Sequence, residues 1–271
     1  MIKSRIVVGA DGSAGSTAAV RWAAVEAQRR DAELRVLAAY HRQHPEDRQA
    51  RAVPDEATAA IMHEAVTLAR SVAPGVEVRC VALPGYAVPV LLHAAEEAVL
   101  LVVGTRNRGV LPGQPFSSVS SQVATQARAS VVVVRGRTEA DDLPVVVGVD
   151  DGPAAGTVIG RAFEEAALHR AGLLAVTAQA AARRAGAESA EAVLGTDLDN
   201  ELDPWKEKYR DVPVEREIVT GDPDRVLVER SQRARLVVVG PRRHGFAGRM
   251  LGAVGTRLLQ RAACPVLIAR T

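Results

Sequence analysis

The chain has 271 residues, of which 48% are hydrophobic, 24% charged and only 3% aromatic, and its formal net charge is +2. This length suits two domains better than a single core, and the hydrophobic content excludes a disordered chain. The small net charge argues against a nucleic-acid-binding protein, which needs clustered cations. Cys80 and Cys264 lie far apart, and the histidines do not cluster with carboxylates, so we expect neither disulfides nor a metal site.

Nothing in the sequence indicates a membrane segment. No apolar run approaches the roughly 18 residues of a membrane span. The N-terminus, MIKSRIVVGADGS, enters a predicted strand at once and leaves no room for a signal peptide. We therefore expect a cytoplasmic protein that does not contact a membrane.

The predicted elements of the first half alternate between short apolar runs and amphipathic stretches. In chain order they are strand 5–10, helix 15–30, strand 33–40, helix 55–72, strand 76–83, helix 86–98, strand 99–104, helix 117–128 and strand 130–135. Valine runs without polar alternation predict strands that are buried on both faces. Strand–helix alternation then predicts right-handed crossovers and an open, doubly wound parallel sheet.

The second half predicts the same order of elements. Its strands are expected at 144–149, 173–178, 213–219, 235–240 and 265–269. The connection after its second strand is the least regular part of the chain. We interpret Gln179–Ala192 as a surface segment and Asp199–Tyr209 as a helix.

The two halves also match in sequence. The paired blocks are RIVVGADGS (5–13) with PVVVGVDDG (144–152), ALPGYAVPVLLHAAE (82–96) with IVTGDPDRVLVERSQ (218–232), LLVVGTRNRG (100–109) with LVVVGPRRHG (236–245), and ASVVVVRG (129–136) with ACPVLIAR (263–270). Four blocks in one order with a nearly constant offset indicate duplication. The fold class is therefore α/β with two tandem five-stranded parallel sheets, in domains 1–137 and 143–271 joined by the polar linker RGRTEADDLP.

The loop after the first strand is one candidate site, because ligands of open parallel sheets bind beyond the carboxyl ends of the strands. Asp11 stands at that strand end. Its carboxylate can accept hydrogen bonds from a ribose or an adenine, or help to hold Mg²⁺. The alternative is that Asp11 only caps the following helix, together with Ser13 or Ser16.

The loop after the fourth strand, GTRNRGVLPGQPFSS, is the other candidate. Its glycines let backbone N–H groups approach a phosphate, the following helix N-terminus favours an anion, and Arg106 and Arg108 add positive charge. The alternative is an ordinary flexible connection. No G-x4-G-K-[ST] motif occurs, so the chain is not a P-loop NTPase, and no G-x-G-x-x-G follows the first strand.

Taken together, the sequence resembles the universal stress protein family in its tandem, actinobacterial form. The segments that carry the resemblance are VVGADGS with the helix AAVRWAAVEAQRR, then LLVVGTRNRG, PWKEKYRDVPVE and ACPVLIAR, and it covers essentially the whole chain. The resemblance implies the adenine-nucleotide-hydrolase-like fold. It also implies that the two fifth strands pair the copies about a pseudo-twofold axis.

ATP-binding members of that family carry an aspartate at the first strand end and a G-x2-G-x9-G-[ST] loop after the fourth strand. In the first copy Asp11 and Gly104 match this pattern. Asn107 and Ser117 stand at the second and third glycines, and Ser118 keeps the hydroxyl.

The second copy departs further from the family pattern. Asp150 and Gly240 match it, but Arg243 stands at the second glycine. Gly252 arrives one residue early and Ala253 replaces the hydroxyl. The predicted nucleotide-binding residues of the two copies are Ala10, Asp11, Gly12, Ser13, Gly104, Arg106, Asn107, Gly109, Ser117, Ser118, Val149, Asp150, Gly240, Arg243 and Gly252.

The resemblance implies a stress-response regulator that binds ATP or a related adenine nucleotide, with or without Mg²⁺, and the first copy is the better site. The lost glycines and hydroxyl favour an alternative, a nucleotide-independent interaction protein with degenerate sites. We expect no enzyme beyond slow ATP hydrolysis, since the P-loop lysine and an S-G-G-x-D-S signature are missing. A homodimer and an unidentified protein partner stay open as further possibilities.

Overall fold

A computed structural model describes residues 3–40, 54–105, 119–139, 142–179, 187–241 and 251–270. The chain forms two compact units that divide between Val134 and Arg135. We call residues 1–134 unit 1 and residues 135–271 unit 2, and the structure of each is given by itself.

Unit 1 contains five strands and four helices among its described residues. They are β1 (Arg5–Gly9), α1 (Ala14–Arg29), β2 (Glu33–Tyr40), α2 (Glu56–Val72), β3 (Val78–Pro84), α3 (Ala87–Ala95), β4 (Leu100–Gly104), α4 (Val119–Gln126) and β5 (Ser130–Val134). All strand pairs are parallel, in the order β3-β2-β1-β4-β5. The sheet therefore reverses its winding between β1 and β4, which is the position where such folds bind ligands.

Unit 2 repeats this arrangement. Its elements are β6 (Val145–Gly148), α5 (Ala155–His169), β7 (Leu173–Gln179), α6 (Ala187–Lys208), β8 (Val214–Thr220), α7 (Pro223–Arg230), a short 3-10 turn (Ser231–Arg233), β9 (Leu236–Val239), α8 (Ala253–Arg261) and β10 (Val266–Ile268). The parallel strands follow the equivalent order β8-β7-β6-β9-β10.

Both units confirm the predicted α/β class with a five-stranded parallel sheet. The central strands are buried on both faces: Ile6, Val7 and Val8 of β1, and Val145, Val146 and Val147 of β6, are fully inaccessible to solvent. These valine runs form buried strands because β-branched side chains pack well on a pleated surface that is covered on both sides.

The connection between β7 and β8 corrects the sequence interpretation. We expected a surface segment up to Ala192 and a helix only from Asp199, whereas α6 begins at Ala187 and runs for 22 residues. The stretch AESAEAV is rich in alanine and glutamate, whose high helix propensity extends the helix toward the N-terminus. At the other end of α6, Trp205 and Tyr209 stack at a centroid distance of 6.4 Å, and Tyr209 stacks on Phe163 of α5 at 5.8 Å.

Candidate functional site

A cleft of about 360 Å³, which we call cleft 1, opens at the carboxyl edge of the sheet in unit 1. Its apolar floor comes from β2, α3 and β4, and consists of Leu37, Ala39, Val90, Leu91 and Val103. Its polar rim comes from the β1–α1 turn and the start of α4, and consists of Asp11, Ser13, Ser16 and Ser120. A volume in the range of roughly 300–1,000 Å³ with a few convergent polar groups is typical of small-molecule sites.

The β1–α1 turn is held by a network of short hydrogen bonds. Asp11 Oδ1 accepts from the backbone N–H of Ser13 at 3.0 Å and from the Ser13 hydroxyl at 2.6 Å. The Ser13 hydroxyl in turn accepts from the N–H of Ser16 at 3.2 Å, which makes Ser13 the N-cap of α1. Asp11 therefore supports the cap without being the cap, and its exposed carboxylate lines cleft 1. The structural and the ligand-binding roles of Asp11 are compatible.

Two glycines bring the first turn of α1 into backbone contact with the end of β4. A Cβ on Gly104 would overlap the carbonyl of Gly15, and a Cβ on Gly15 would overlap the carbonyl of Thr105. Gly104 is predicted from the sequence to let the backbone approach a phosphate, and its close contact with Gly15 requires a glycine here even without a ligand. The role of Gly15 was not predicted from the sequence. A glycine inside the first turn of a helix can itself indicate that another backbone segment approaches closely at that position.

A second cleft of about 210 Å³, which we call cleft 2, occupies the equivalent place in unit 2. Asp150 Oδ1 accepts from the N–H of Gly152 at 3.1 Å, as Asp11 does from Ser13. The helix that follows differs, because Ala154 takes the place of Gly15. Its N-cap is Ala154 without a side-chain hydrogen bond, and α5 begins only at Ala155.

The polar rim of cleft 2 is chemically different from that of cleft 1. Ala155 and Gly255 line cleft 2 where Ser16 and Ser120 line cleft 1, and Gly152 stands at the position of Ser13. Three serine hydroxyls are therefore lost, while Thr177 of β7 adds one hydroxyl to the lining of cleft 2. Asp151 adds a second carboxylate beside Asp150. The described residues that line cleft 2 include no lysine, arginine or histidine. Two neighbouring carboxylates repel an anionic ligand more than the single carboxylate of cleft 1 does.

The structure brings most of the described candidate residues into the two clefts. Ala10, Asp11, Ser13 and Gly104 line cleft 1, and Val149, Asp150, Gly240 and Gly252 line cleft 2. Gly12 lies in the β1–α1 turn at φ +76°, a left-handed conformation that suits glycine. The other candidates lie outside the described residues, namely Arg106, Asn107, Gly109, Ser117, Ser118 and Arg243.

One wall of each cleft is formed by the residues that follow the third strand of the unit, and this wall was not predicted from the sequence. Gly85, Ala87, Val90 and Leu91 line cleft 1, and Pro223 and Leu227 line cleft 2. The available signal was the repeated block around Gly85 and its counterpart Gly221. Gly85 adopts φ +138°, a backbone conformation that other residues rarely reach.

Comparison with known proteins identifies the family of this fold. Across the described residues no helix is both long and apolar enough to cross a membrane. A structure of a universal stress protein from Archaeoglobus fulgidus has a TM-score of 0.68 at 16% identity, covering 100% of this chain and 99% of its own, and it supports the fold alone. Another structure from that organism, in complex with dAMP, reaches a TM-score of only 0.39 at 24% identity over 50% of this chain and 100% of its own, a likeness too slight to carry its ligand over.

Sequence similarity is stronger and extends along the whole chain. Universal stress protein Rv2623 of Mycobacterium tuberculosis is 34% identical over 294 residues, which cover 98% of this chain and 96% of that protein. The model of the Universal stress protein family matches twice, at residues 3–135 and 143–270. The chain therefore belongs to the universal stress protein family and carries its domain in tandem.

Proposed function

We propose that the protein is a stress-response regulator that binds ATP or a related adenine nucleotide in cleft 1. The observation that carries the proposal is the division of cleft 1 into an apolar floor and a polar rim. Leu37, Val90 and Leu91 offer an apolar surface to a base, while Asp11 stands at the strand end where its carboxylate can accept from ribose hydroxyls. The phosphates would extend past Gly104 toward the start of α4.

Unit 1 is proposed as the better of the two sites. Cleft 1 has the larger volume, about 360 Å³ against about 210 Å³ for cleft 2. The lining of cleft 1 includes three serine hydroxyls and one carboxylate, whereas that of cleft 2 includes two carboxylates and the hydroxyl of Thr177. Both differences favour a phosphate-bearing ligand in unit 1.

Regulation fits cleft 1 better than catalysis does. Among the described residues that line it, Asp11 is the one charged side chain. Enzymes of phosphoryl transfer place lysine, arginine or several metal ions around the transferred group, because its charge develops in the transition state. A bound nucleotide, with Mg²⁺ on its phosphates, would instead act by stabilising one conformation or assembly state over another.

The composition of cleft 2 favours a second candidate function. The loss of three serine hydroxyls and the additional Asp151 make the lining of cleft 2 less suited to a nucleotide than that of cleft 1. A protein in which both units had lost the ligand would act through protein partners alone. This candidate predicts that no form of the protein binds ATP.

Asp11 substitutions test the proposal, with Asp150 as the matched control in the other unit. We expect freshly purified protein to release nucleotide on denaturation, detected by chromatography, and to bind ATP in calorimetric titration. Asp11→Ala should weaken ATP binding at least about tenfold, since a hydrogen bond to a charged group is lost. Asp150→Ala should bind like the unchanged protein.

A second substitution separates ligand contact from loop support. Asp11→Asn keeps an oxygen that accepts from the Ser13 N–H but removes the charge, and its thermal unfolding should stay close to that of the unchanged protein. Absence of ATP binding in every form, including the unchanged one, would favour the interaction protein. Rapid multiple turnover of ATP would refute the regulator.

A further inference from the structure

One ion pair in unit 2 joins two of the helices that line cleft 2, α7 and α8. Asp224 lies in the first turn of α7, next to the lining residue Pro223, and Arg257 lies on α8 just beyond the lining residue Gly255. The Nη1 atom of Arg257 is 3.1 Å from Oδ2 of Asp224. Both side chains are partly shielded, with exposed fractions of 38% for Arg257 and 21% for Asp224.

Unit 1 cannot form this ion pair. The helices α4 and α8 end in the same way, with Ala127 N–H donating to Val123 and Ala262 N–H donating to Leu258, both at 2.9 Å. This equivalence places Gln122 at the position of Arg257. The repeated block around Gly85 and Gly221 places Val88 at the position of Asp224. The cross-link between the two walls therefore occurs in the unit with the smaller cleft.

The direction of the Arg257 side chain gives the pair a second consequence. Side chains on a helix lean toward its N-terminus, which for α8 is the end that lines cleft 2. A guanidinium is the side chain best suited to a phosphate. Arg257 is thus a cation beside a cleft whose described lining has none, and the carboxylate of Asp224 pairs with it.

We propose that the Asp224–Arg257 pair is an autoinhibitory clasp that ties α7 to α8 and withholds Arg257 from a phosphate-bearing ligand. Cleft 2 accepts a nucleotide only when the clasp is open. The choice of an adenine nucleotide as this ligand rests on the function proposed above, whereas the mechanical role of the clasp does not.

ATP titrations in an Asp11→Ala background, in which cleft 1 binds ATP more weakly, test the clasp. Adding Asp224→Asn should tighten ATP binding about tenfold, because a charge-assisted contact to phosphate becomes available. The matched control is Asp222→Asn, which removes a carboxylate one residue before α7 that pairs with Arg225 at 3.5 Å. The proposal is overturned if Asp224→Asn binds no more tightly than Asp222→Asn.

Arg257→Gln separates opening the cleft from supplying the cation. It breaks the same pair but removes the guanidinium, so ATP should bind no more tightly than to Asp11→Ala alone. An equal gain from Arg257→Gln and Asp224→Asn would show that Arg257 does not contact phosphate, and would overturn that part of the proposal.

Hydrogen exchange gives a readout that needs no nucleotide. In the full chain, Asp224→Asn and Arg257→Gln should both speed amide exchange in the first turns of α8 by about two- to fivefold, as expected for a part-exposed ion pair. Asp222→Asn should leave this exchange unchanged. If the unchanged protein binds no ATP, the function proposed for cleft 1 fails, and this measurement still decides whether the clasp exists.

Discussion

At Gly104 the end of β4 lies so close to the first turn of α1 that no side chain fits between them. The obstructing atoms belong to the backbone of Gly15, which cannot move aside as the tip of a flexible side chain could. In unit 2 a Cβ on the corresponding Gly240 would meet the side chain of Val158 and no backbone among the described residues, and Ala154 replaces Gly15. The tight contact between the two loops is therefore a property of unit 1.

We expect Gly104→Ala to lower the free energy of unfolding by about 1–3 kcal/mol, the usual cost of overpacking. Urea denaturation of the full chain measures this change. The control is Gly75→Ala, where an added Cβ meets nothing within 4 Å and the change should stay below about 0.5 kcal/mol. Equal effects of the two substitutions would contradict the packing role of Gly104.

The two cysteines differ in their exposure to solvent. Cys264 is fully buried, and burial raises the pKa of its thiol to about 12, while Cys80 is exposed. Because the thiolate is the reactive form, Cys264 stays protonated and inert at neutral and mildly alkaline pH. At pH 8 a thiol-reactive chromogenic reagent should therefore titrate one thiol in the native chain and two after unfolding. Two rapidly reacting thiols in the native protein would contradict this assignment.

At the scale of elements, α6 packs on α5 through a slot that Gly160 provides. A Cβ on Gly160 would overlap the indole ring of Trp205, which itself lies 5.3 Å from Lys208 Nζ. The sequence predicts a helix over Asp199–Tyr209, which contains Trp205, but no local pattern indicates that a glycine on the neighbouring helix receives the indole ring. A contact between residues so distant in sequence depends on how the two helices cross.

Gly160→Ala should destabilise the protein by about 1–3 kcal/mol and red-shift the tryptophan emission, because the indole must leave its slot. Gly156 offers a control in the same helix, since its Cβ would lie 3.8 Å from Glu201 Oε2 in ordinary contact. Gly156→Ala should stabilise the helix by about 0.5–1 kcal/mol. Fluorescence and urea denaturation measured together decide between the two outcomes.

At the scale of the whole molecule, the first residues of unit 2, which directly follow β5, pack on the rest of that unit. Arg135 donates to the carbonyl of Leu258 at 2.9 Å, near the end of α8, and Arg137 donates to that of Gln232 at 2.9 Å. Gly136 adopts φ +59° against the backbone of Ala263. The predicted boundaries, 1–137 and 143–271, assign these residues to the first domain, and we propose from their contacts that the second domain begins at Arg135.

Fragments test where the second domain begins. A fragment of residues 135–271 should be more stable than one of residues 143–271 by about 1–3 kcal/mol, since the shorter fragment loses several hydrogen bonds to main-chain carbonyls. Arg137→Ala in the longer fragment should remove part of this difference. Identical urea midpoints for the two fragments would support the boundary predicted from the sequence.

Local patterns determined the class of the fold, the duplication and the position of the two aspartates. Valine-rich strands, repeated blocks and strand–loop–helix order are short-range properties, and they place Asp11 and Asp150 at the ends of β1 and β6 without knowledge of packing. They did not determine where α6 begins, because no clear period marks its first half. They also could not separate capping from ligand contact at Asp11, since that depends on the neighbours of its carboxylate.

The sequence by itself determined that each half of this protein forms five parallel strands with an aspartate at the end of the first one, because strand–helix alternation and repetition can be read along the chain. Only the tertiary structure decided that Gly15 meets Gly104, that Trp205 fills the slot at Gly160 and that Asp224 pairs with Arg257 across the walls of cleft 2. Each of these contacts joins residues from different elements. Their distances are set by how helices pack on a sheet, which no local pattern specifies.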